Sequence, residues 1–203
     1  MPRLLKIDSP DWLDVAADAI NGGKIVGLAF ERLFGLAVNA LDPEAVHNVA
    51  GMKSRDIEGE KSRPIAVILP NREGISQFTD HFTAAAERLA DRHWPGPLTL
   101  IVKARSGLPK PLVSALGLIG IRLAGQSPAA ALSRRTGLPL TATSANRKDA
   151  PDALTHVEVL SLHEVDFVVE GSVAGPPGST VVDVSGPSPR VLRQGIVQID
   201  KEM

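Results

Sequence analysis

The stretch that most constrains how this chain can fold is a turn followed by a buried run: Gly175-Pro176-Pro177-Gly178-Ser179-Thr180-Val181-Val182-Asp183-Val184. The Pro/Gly cluster breaks any helix, and the β-branched residues after it read as a strand. Gly178 allows the backbone to approach a ligand closely, and the N–H groups around Ser179 and Thr180 can turn toward an anion. Two other segments share this grammar of an apolar run with polar groups at its tip, Leu138 to Asn146 and Val191 to Gly195. Polar tips at strand ends are where α/β proteins usually build their sites.

The remaining elements follow in chain order. Ser9-Pro10-Asp11 is the expected start of a helix, with Ser9 as cap and Pro10 at its first position. Trp12, Leu13, Ala16, Ala19 and Ile20 recur at helical spacing, and Asn21-Gly22-Gly23 ends the run. Strands are expected at Lys24 to Phe30 and Phe34 to Val38. Asp42-Pro43-Glu44 opens a second helix, with Val46, Val49 and Met52 facing inward. Asp56 to Ser62, charged and without periodicity, reads as a mobile loop. Then come a strand at Pro64 to Leu69, a helix over most of Phe78 to His93, and a rigid turn at Trp94-Pro95-Gly96-Pro97. Further strands are expected at Leu98 to Val102, Leu118 to Leu123, from Leu138, and at Asp166 to Glu170. Two more flank Pro187-Ser188-Pro189. Helices are expected from Ser127 to Arg135 and from Thr155 to His163. Strands outnumber helices at irregular spacing, which excludes a doubly wound parallel sheet. No repeat or clear linker divides the 203 residues, so one domain is expected.

Composition excludes several classes of function. There is no cysteine, which removes disulfides, thiolate metal sites and cysteine nucleophiles and fits a reducing, cytoplasmic setting. The net charge of −1 carries no global field demanding nucleic acid. No apolar run is long enough to span a membrane, and Met1-Pro2-Arg3 opens no signal sequence. The absence of Tyr, with 3% aromatics, argues against a base-stacking surface. His47, His81, His93, His156 and His163 lie far apart, without metal-ligand spacing. Neither a Walker loop nor a dinucleotide fingerprint is present, and Ser144 has no nucleophile elbow around it.

What stands out is a set of cations at the ends of strands or helices: Lys53, Arg55, Arg63, Arg122 and Arg193. Fixed cations are what polyphosphate and carboxylate recognition requires. With the hydroxyls of Ser144, Ser179 and Thr180 and the amide of Asn146, they suit a nucleotide. Arg122 is the most telling, because it sits inside an apolar strand where a charge is costly without a partner or an anion.

These residues carry a resemblance. Lys53-Ser54-Arg55, Trp94 to Leu100, Gly120-Ile121-Arg122, Thr143-Ser144-Ala145-Asn146, Ser179 to Asp183 and Leu192-Arg193-Gln194-Gly195 follow one another in the order of the YrdC-like threonylcarbamoyl-AMP synthase family. The chain resembles that family from about Ser9 to Val197. The resemblance implies an α/β fold of the α+β type: one domain with a twisted mixed sheet curved around a basic concave cavity. It implies ATP, L-threonine and bicarbonate as substrates, with Mg²⁺, and threonylcarbamoyl-AMP and pyrophosphate as products, the adenylate serving threonylcarbamoyladenosine formation in tRNA. It implies Lys53 and Arg55 as catalytic charges and Ser144, Asn146, Ser179 and Arg193 as nucleotide ligands. Arg32, Arg63, Arg122 and Thr180 are the implied lining of the substrate pocket.

The chain departs from the family at one place above all. Where the family has P-T-D-T-x-Y-G-L, this sequence reads Ala29-Phe30-Glu31-Arg32-Leu33-Phe34-Gly35-Leu36. Hydroxyls give way to Phe30, Arg32 and Phe34, so the threonine side is altered more than the nucleotide side. Arg147-Lys148-Asp149 likewise replaces a small Ser-Gly pair, and Arg63 stands where lysine is usual. Two further readings therefore stand beside the synthase. One is a non-catalytic paralogue binding double-stranded RNA, tRNA or a nucleotide through the same cavity. The other is a relative using carbamoyl-AMP chemistry for carbamoyl transfer.

Overall fold

The computed structural model describes residues 1–52, 64–147 and 150–199. The elements are β1 (Arg3–Leu5), α1 (Trp12–Asn21), β2 (Val26–Ala29), β3 (Phe34–Ala37), α2 (Pro43–Met52), β4 (Ala66–Ile68), α3 (Ala84–His93), β5 (Leu98–Lys103), β6 (Leu118–Arg122), α4 (Pro128–Thr136), β7 (Leu140–Ser144), α5 (His156–Leu160), β8 (Phe167–Val169), β9 (Thr180–Asp183) and β10 (Arg190–Arg193). Short polar side chains start several helices by accepting from the first-turn N–H groups, which have no partner within the helix. Asp42 Oδ1 accepts from Glu44 N at 3.0 Å and Ala45 N at 3.1 Å. Thr83 Oγ1 accepts from Ala86 N, and Ser127 Oγ from Ala130 N. Thr155 and Glu158 form a reciprocal capping box.

Two starts differ from expectation. Ser9 does not cap α1: its hydroxyl is turned onto Asp11 Oδ1, Asp11 takes the cap position without a side-chain bond to the first-turn N–H groups, and Pro10 stays in the preceding turn. The helix expected from Phe78 begins only at Ala84. A 3₁₀ turn, Glu73–Gln77, precedes it, and Thr79 Oγ1 accepts from His81 N, an arrangement that holds the backbone out of the helix. The expected helix at Thr155 to His163 shortens to α5. The expected loop at Asp56 to Ser62 lies outside the described residues.

Among the described residues, ten strands join one sheet, in the order β1-β8-β2-β3-β7-β4-β6-β5-β9-β10. It is mixed: β8 runs parallel to β1 and β2, β4 parallel to β6, and β5 parallel to β9. The other pairs are antiparallel. The strand β7 is central, pairing Ser144 with Gly35 on one side and Ala142 with Ala66 on the other. Alternation of side chains divides the interior into two layers. Ile25, Ala29, Phe34, Leu36, Val67, Ile119 and Ile121 join α2, α3 and α5 in the larger core. Val26, Leu28, Ala37, Ile68 and Leu140 face the other way and pack with α1 and α4. Gly27 is required by this packing, since a Cβ there would lie 2.5 Å from Val159 Cγ1 of α5.

Thr141 secures the middle of the sheet. Its fully buried hydroxyl accepts from Val38 N and donates to Leu36 O, both at 3.1 Å. Thr141→Val keeps the shape but leaves both backbone groups without that partner. The expected result is a loss of about 1–3 kcal/mol, read as a lower urea midpoint with unchanged m-value.

Candidate functional site

The side of the sheet that carries α1 and α4 is closed over β2 and β8 but less so farther along. On β7, β4, β6, β5 and β9, the residues facing that way are Ala142, Ser144, Ala66, Gly120, Thr99, Ile101 and Val181, as register and alternation require. Gly120 fixes the geometry: a Cβ there would meet Ile101 Cδ1 at 3.1 Å and both Ala66 Cβ and Thr99 Cγ2 at 3.3 Å. Ala66, Ile101, Ala142, Ser144 and Val181 are half-buried although they belong to interior strands. Small side chains thus form a floor on the open side of the sheet.

Arg122 stands at one end of this floor, at the tip of β6. Its Nε donates to Gly96 O at 3.0 Å, and its Nη2 forms a close ion pair with Glu31. Glu31 reaches in from the β2–β3 turn, and its Oε1 also accepts from Gly125 N at 2.8 Å. Burial pushes the Arg122 guanidinium down to about 10, and the like charge of Arg193 pushes in the same direction. Arg122 therefore remains charged at neutral pH, with a second cation close enough to be felt.

Arg193, at the tip of β10, pairs in register with Val181. Its guanidinium donates to Ser179 O from Nε at 3.2 Å and from Nη2 at 2.9 Å, and Nη2 also reaches Ser179 Oγ at 3.1 Å. Ser179 Oγ lies 3.0 Å from Thr99 Oγ1. A guanidinium can only donate, so the serine hydroxyl is oriented by Arg193 on one side and Thr99 on the other. At the opposite end of the floor, Ser144 Oγ donates to Asn146 Oδ1 at 2.8 Å, and Asn146 Nδ2 donates to Ala150 O at 2.6 Å.

Of the residues singled out from sequence, Arg122, Ser179 and Arg193 come together, with Ser144 and Asn146 at the far end of the same floor. Thr180 does not face it. Its side chain is fully buried, donates to Val197 O at 2.6 Å and accepts from Gly195 N at 2.9 Å. Its own N–H goes to Pro97 O at 3.0 Å rather than outward to an anion. Thr180 thus fastens the C-terminal segment. Arg32 also turns away: its Nε donates to Gly175 O at 2.8 Å and its Nη2 to Pro176 O at 3.3 Å. Lys53, Arg55 and Arg63 lie outside the described residues. Thr99 and Gly120 stand in the sequence motifs without a site role assigned to them, and Ala66 and Ala142 are not singled out. The available signal was period two: a glycine or alanine among bulky strand residues marks a close approach.

Among the described residues, no three His, Asp or Glu side chains are grouped to hold a metal ion. No described helix is long and apolar enough to cross a membrane. A cleft near 500 Å³ lined by Arg105, Leu108, Lys110 and Ser114 lies at the other end of β5, away from Arg122.

Glu31→Gln removes the charge that faces buried Arg122. Losing one partner of such a pair costs about 3–5 kcal/mol. The expected result is a marked drop in chemical-denaturation stability, largely recovered in the double variant Glu31→Gln/Arg122→Met. Equal instability of the single and double variants would show that the unpaired charge on Arg122 is not the source of the loss.

Comparison with known proteins gives concordant findings. The Sua5/YciO/YrdC family model, whose description reads telomere recombination, matches residues 18–195. A threonylcarbamoyl-AMP synthase of Bacillus subtilis is 32% identical over 188 residues, covering 89% of this chain and 52% of that protein. The crystal structure of Pyrococcus abyssi Sua5 complexed with L-threonine matches with a TM-score of 0.85 at 27% identity, over 96% of this chain and 57% of that one. Escherichia coli YciO matches with a TM-score of 0.84 over 98% of both chains; at 20% identity this bears on the fold alone. The chain therefore spans about half the length of the Bacillus and Pyrococcus proteins and nearly all of YciO.

Proposed function

The chain belongs to the Sua5/YciO/YrdC family, and from that premise we propose that it is a threonylcarbamoyl-AMP synthase working on the floor between Arg122 and Ser144. The observation that carries the reading is the hold of Arg193 and Thr99 on the Ser179 hydroxyl, with Arg193 close enough to Arg122 to lower its pKa. Like charges are brought together at a cost, and an anionic ligand offsets that cost. Arg193 and Ser179 would then hold the triphosphate side of ATP, and Ser144 and Asn146 the nucleoside side. Arg122, already neutralised in part by Glu31, would set the potential at the floor's end. Lys53, Arg55 and Arg63 would bring further charge, as the resemblance implies. Mg²⁺ would arrive on the triphosphate, since it takes much of its coordination from phosphate and water.

The reaction needs positioning and charge neutralisation more than a nucleophile. The threonine amine and bicarbonate condense to a carbamate with loss of water. A carbamate oxygen attacks the α-phosphorus, the bond to the β-phosphate bridging oxygen breaks, and pyrophosphate leaves. The adenylate would supply tRNA modification in the cytoplasm. No feature of the described site favours the RNA-binding reading over this one.

The direct test is pyrophosphate release from ATP, expected to require both L-threonine and bicarbonate. Release that is indifferent to the amino acid would count against the synthase. Removing a charged contact to an anion typically costs about 1.5–3 kcal/mol. Arg193→Ala is therefore expected to weaken ATP binding by about tenfold or more in calorimetry, and unchanged affinity would exclude Arg193 from the nucleotide site.

Amino-acid selectivity is expected to be poor. Phe34 is fully buried in the core and Arg32 is committed to the Gly175–Pro176 carbonyls. Phe30 covers Gly35 and offers only apolar surface. Thr141 is engaged within the sheet, and Thr143 is buried. Sites built around a substrate hydroxyl reject its absence by about 10⁴–10⁵, whereas apolar pockets manage on the order of 10². Competition between L-threonine and L-2-aminobutyrate should show the weaker discrimination. A strong preference for threonine would place an overlooked hydroxyl partner in the site.

A further inference from the structure

The segment between β8 and β9 leads into Ser179 and has little regular structure of its own. Backbone bonds hold it at several points: His156 N to Gly171 O at 3.1 Å, Val173 N to Leu154 O at 2.9 Å, and Ile196 N to Gly178 O at 3.2 Å. Between the last two, the contact comes from the β2–β3 turn. Gly175 N donates to Arg32 O at 3.0 Å, while the Arg32 guanidinium donates to Gly175 O and Pro176 O. Gly175 has φ +85°, a conformation that favours glycine. Leu33 of the same turn and Arg193 of β10 flank Gly178, since a Cβ there would lie 3.5 Å from Leu33 Cδ1 and 3.8 Å from Arg193 Nη2.

We propose that Arg32 is a positioning residue: its planar fork clamps the Gly175–Pro176 carbonyls and thereby sets where Gly178 presents Ser179 to Arg193. The inference rests on the nucleotide reading given above. Arg32 acts through the segment and touches no substrate. A guanidinium suits this task because it donates in a fixed plane to two acceptors at once, which a lysine ammonium on a flexible stem does not. The substitution that removes a hydroxyl from the amino-acid side thus adds a brace to the nucleotide side.

The test uses Arg32→Ala and Arg32→Lys in the full chain, with melting temperature recorded to establish folding. Amide hydrogen exchange reports local opening. Exchange at Gly175 to Thr180 is expected to accelerate by about tenfold in Arg32→Ala while β3 keeps its protection, and Arg32→Lys should restore part of the difference. ATP affinity should fall by about tenfold, with the KM for the amino acid little changed. In a double-mutant cycle, Arg32→Ala with Arg193→Ala should bind ATP no more weakly than Arg193→Ala alone. Additive losses would overturn the proposal, because Arg32 would then contact the nucleotide itself. Unaltered exchange at Gly175 to Thr180 would overturn it equally. Should the wild-type chain bind no ATP, the functional reading fails, and the exchange measurement alone decides the clamp.

Discussion

The open side of the sheet depends on the buried ion pair between Glu31 and Arg122. A guanidinium at the end of an apolar strand is expensive in a low dielectric. The chain meets that cost with a carboxylate from a turn distant in sequence and a carbonyl from Gly96. Glu31 also takes Gly125 N, so one side chain ties the β2–β3 turn to the approach to α4. Because that turn is held across the sheet, its next residues reach the Gly175–Gly178 segment. One carboxylate therefore links the β2–β3 turn to the end of β6 and to the segment before α4.

The architecture on the C-terminal side relies on backbone approach rather than charge. Gly195 is buried, and a Cβ there would lie 2.3 Å from Gly178 O and 2.5 Å from Thr180 N. Two stretches of main chain thus stack without an intervening side chain, and the Thr180 hydroxyl stitches them through Gly195 N and Val197 O. This approach brings β10 close enough for Arg193 to return to Ser179. The Gly and Thr of the two C-terminal motifs are structural, and they serve the Ser and Arg beside them.

Much of this was legible in the sequence. Apolar runs bounded by turn residues located most strands, and Asp42, Ser127 and Thr155 marked helix starts. The single mixed sheet agrees with what the resemblance implies. Strand β1 escaped notice because its three residues include only one buried side chain, Leu5, and it depends on β8 for pairing. Ser9 misled because cap chemistry says which residue can accept, not which group it meets; Asp11 was nearer. Thr180 and Arg32 misled in the same way. Residue type shows that a hydroxyl or a cation is available, but strand parity and competing carbonyls decide where it points.

The altered β2–β3 turn is best understood position by position, since its residues now do different things. Glu31 preserves a carboxylate and with it the hold on Arg122. Phe34 enters the core, where a phenyl ring is more cheaply buried than a phenol without a partner. Phe30 lies over Gly35, and that glycine leaves room for the ring: a Cβ would come within 2.3 Å of it. Arg32 binds the Gly175 and Pro176 carbonyls of the segment before Ser179. The turn has therefore kept its role in shape while exchanging hydrogen-bonding groups for packing and bracing. That pattern differs from simple decay of a site, because a decaying turn has no reason to acquire a residue that satisfies two backbone carbonyls on the neighbouring loop.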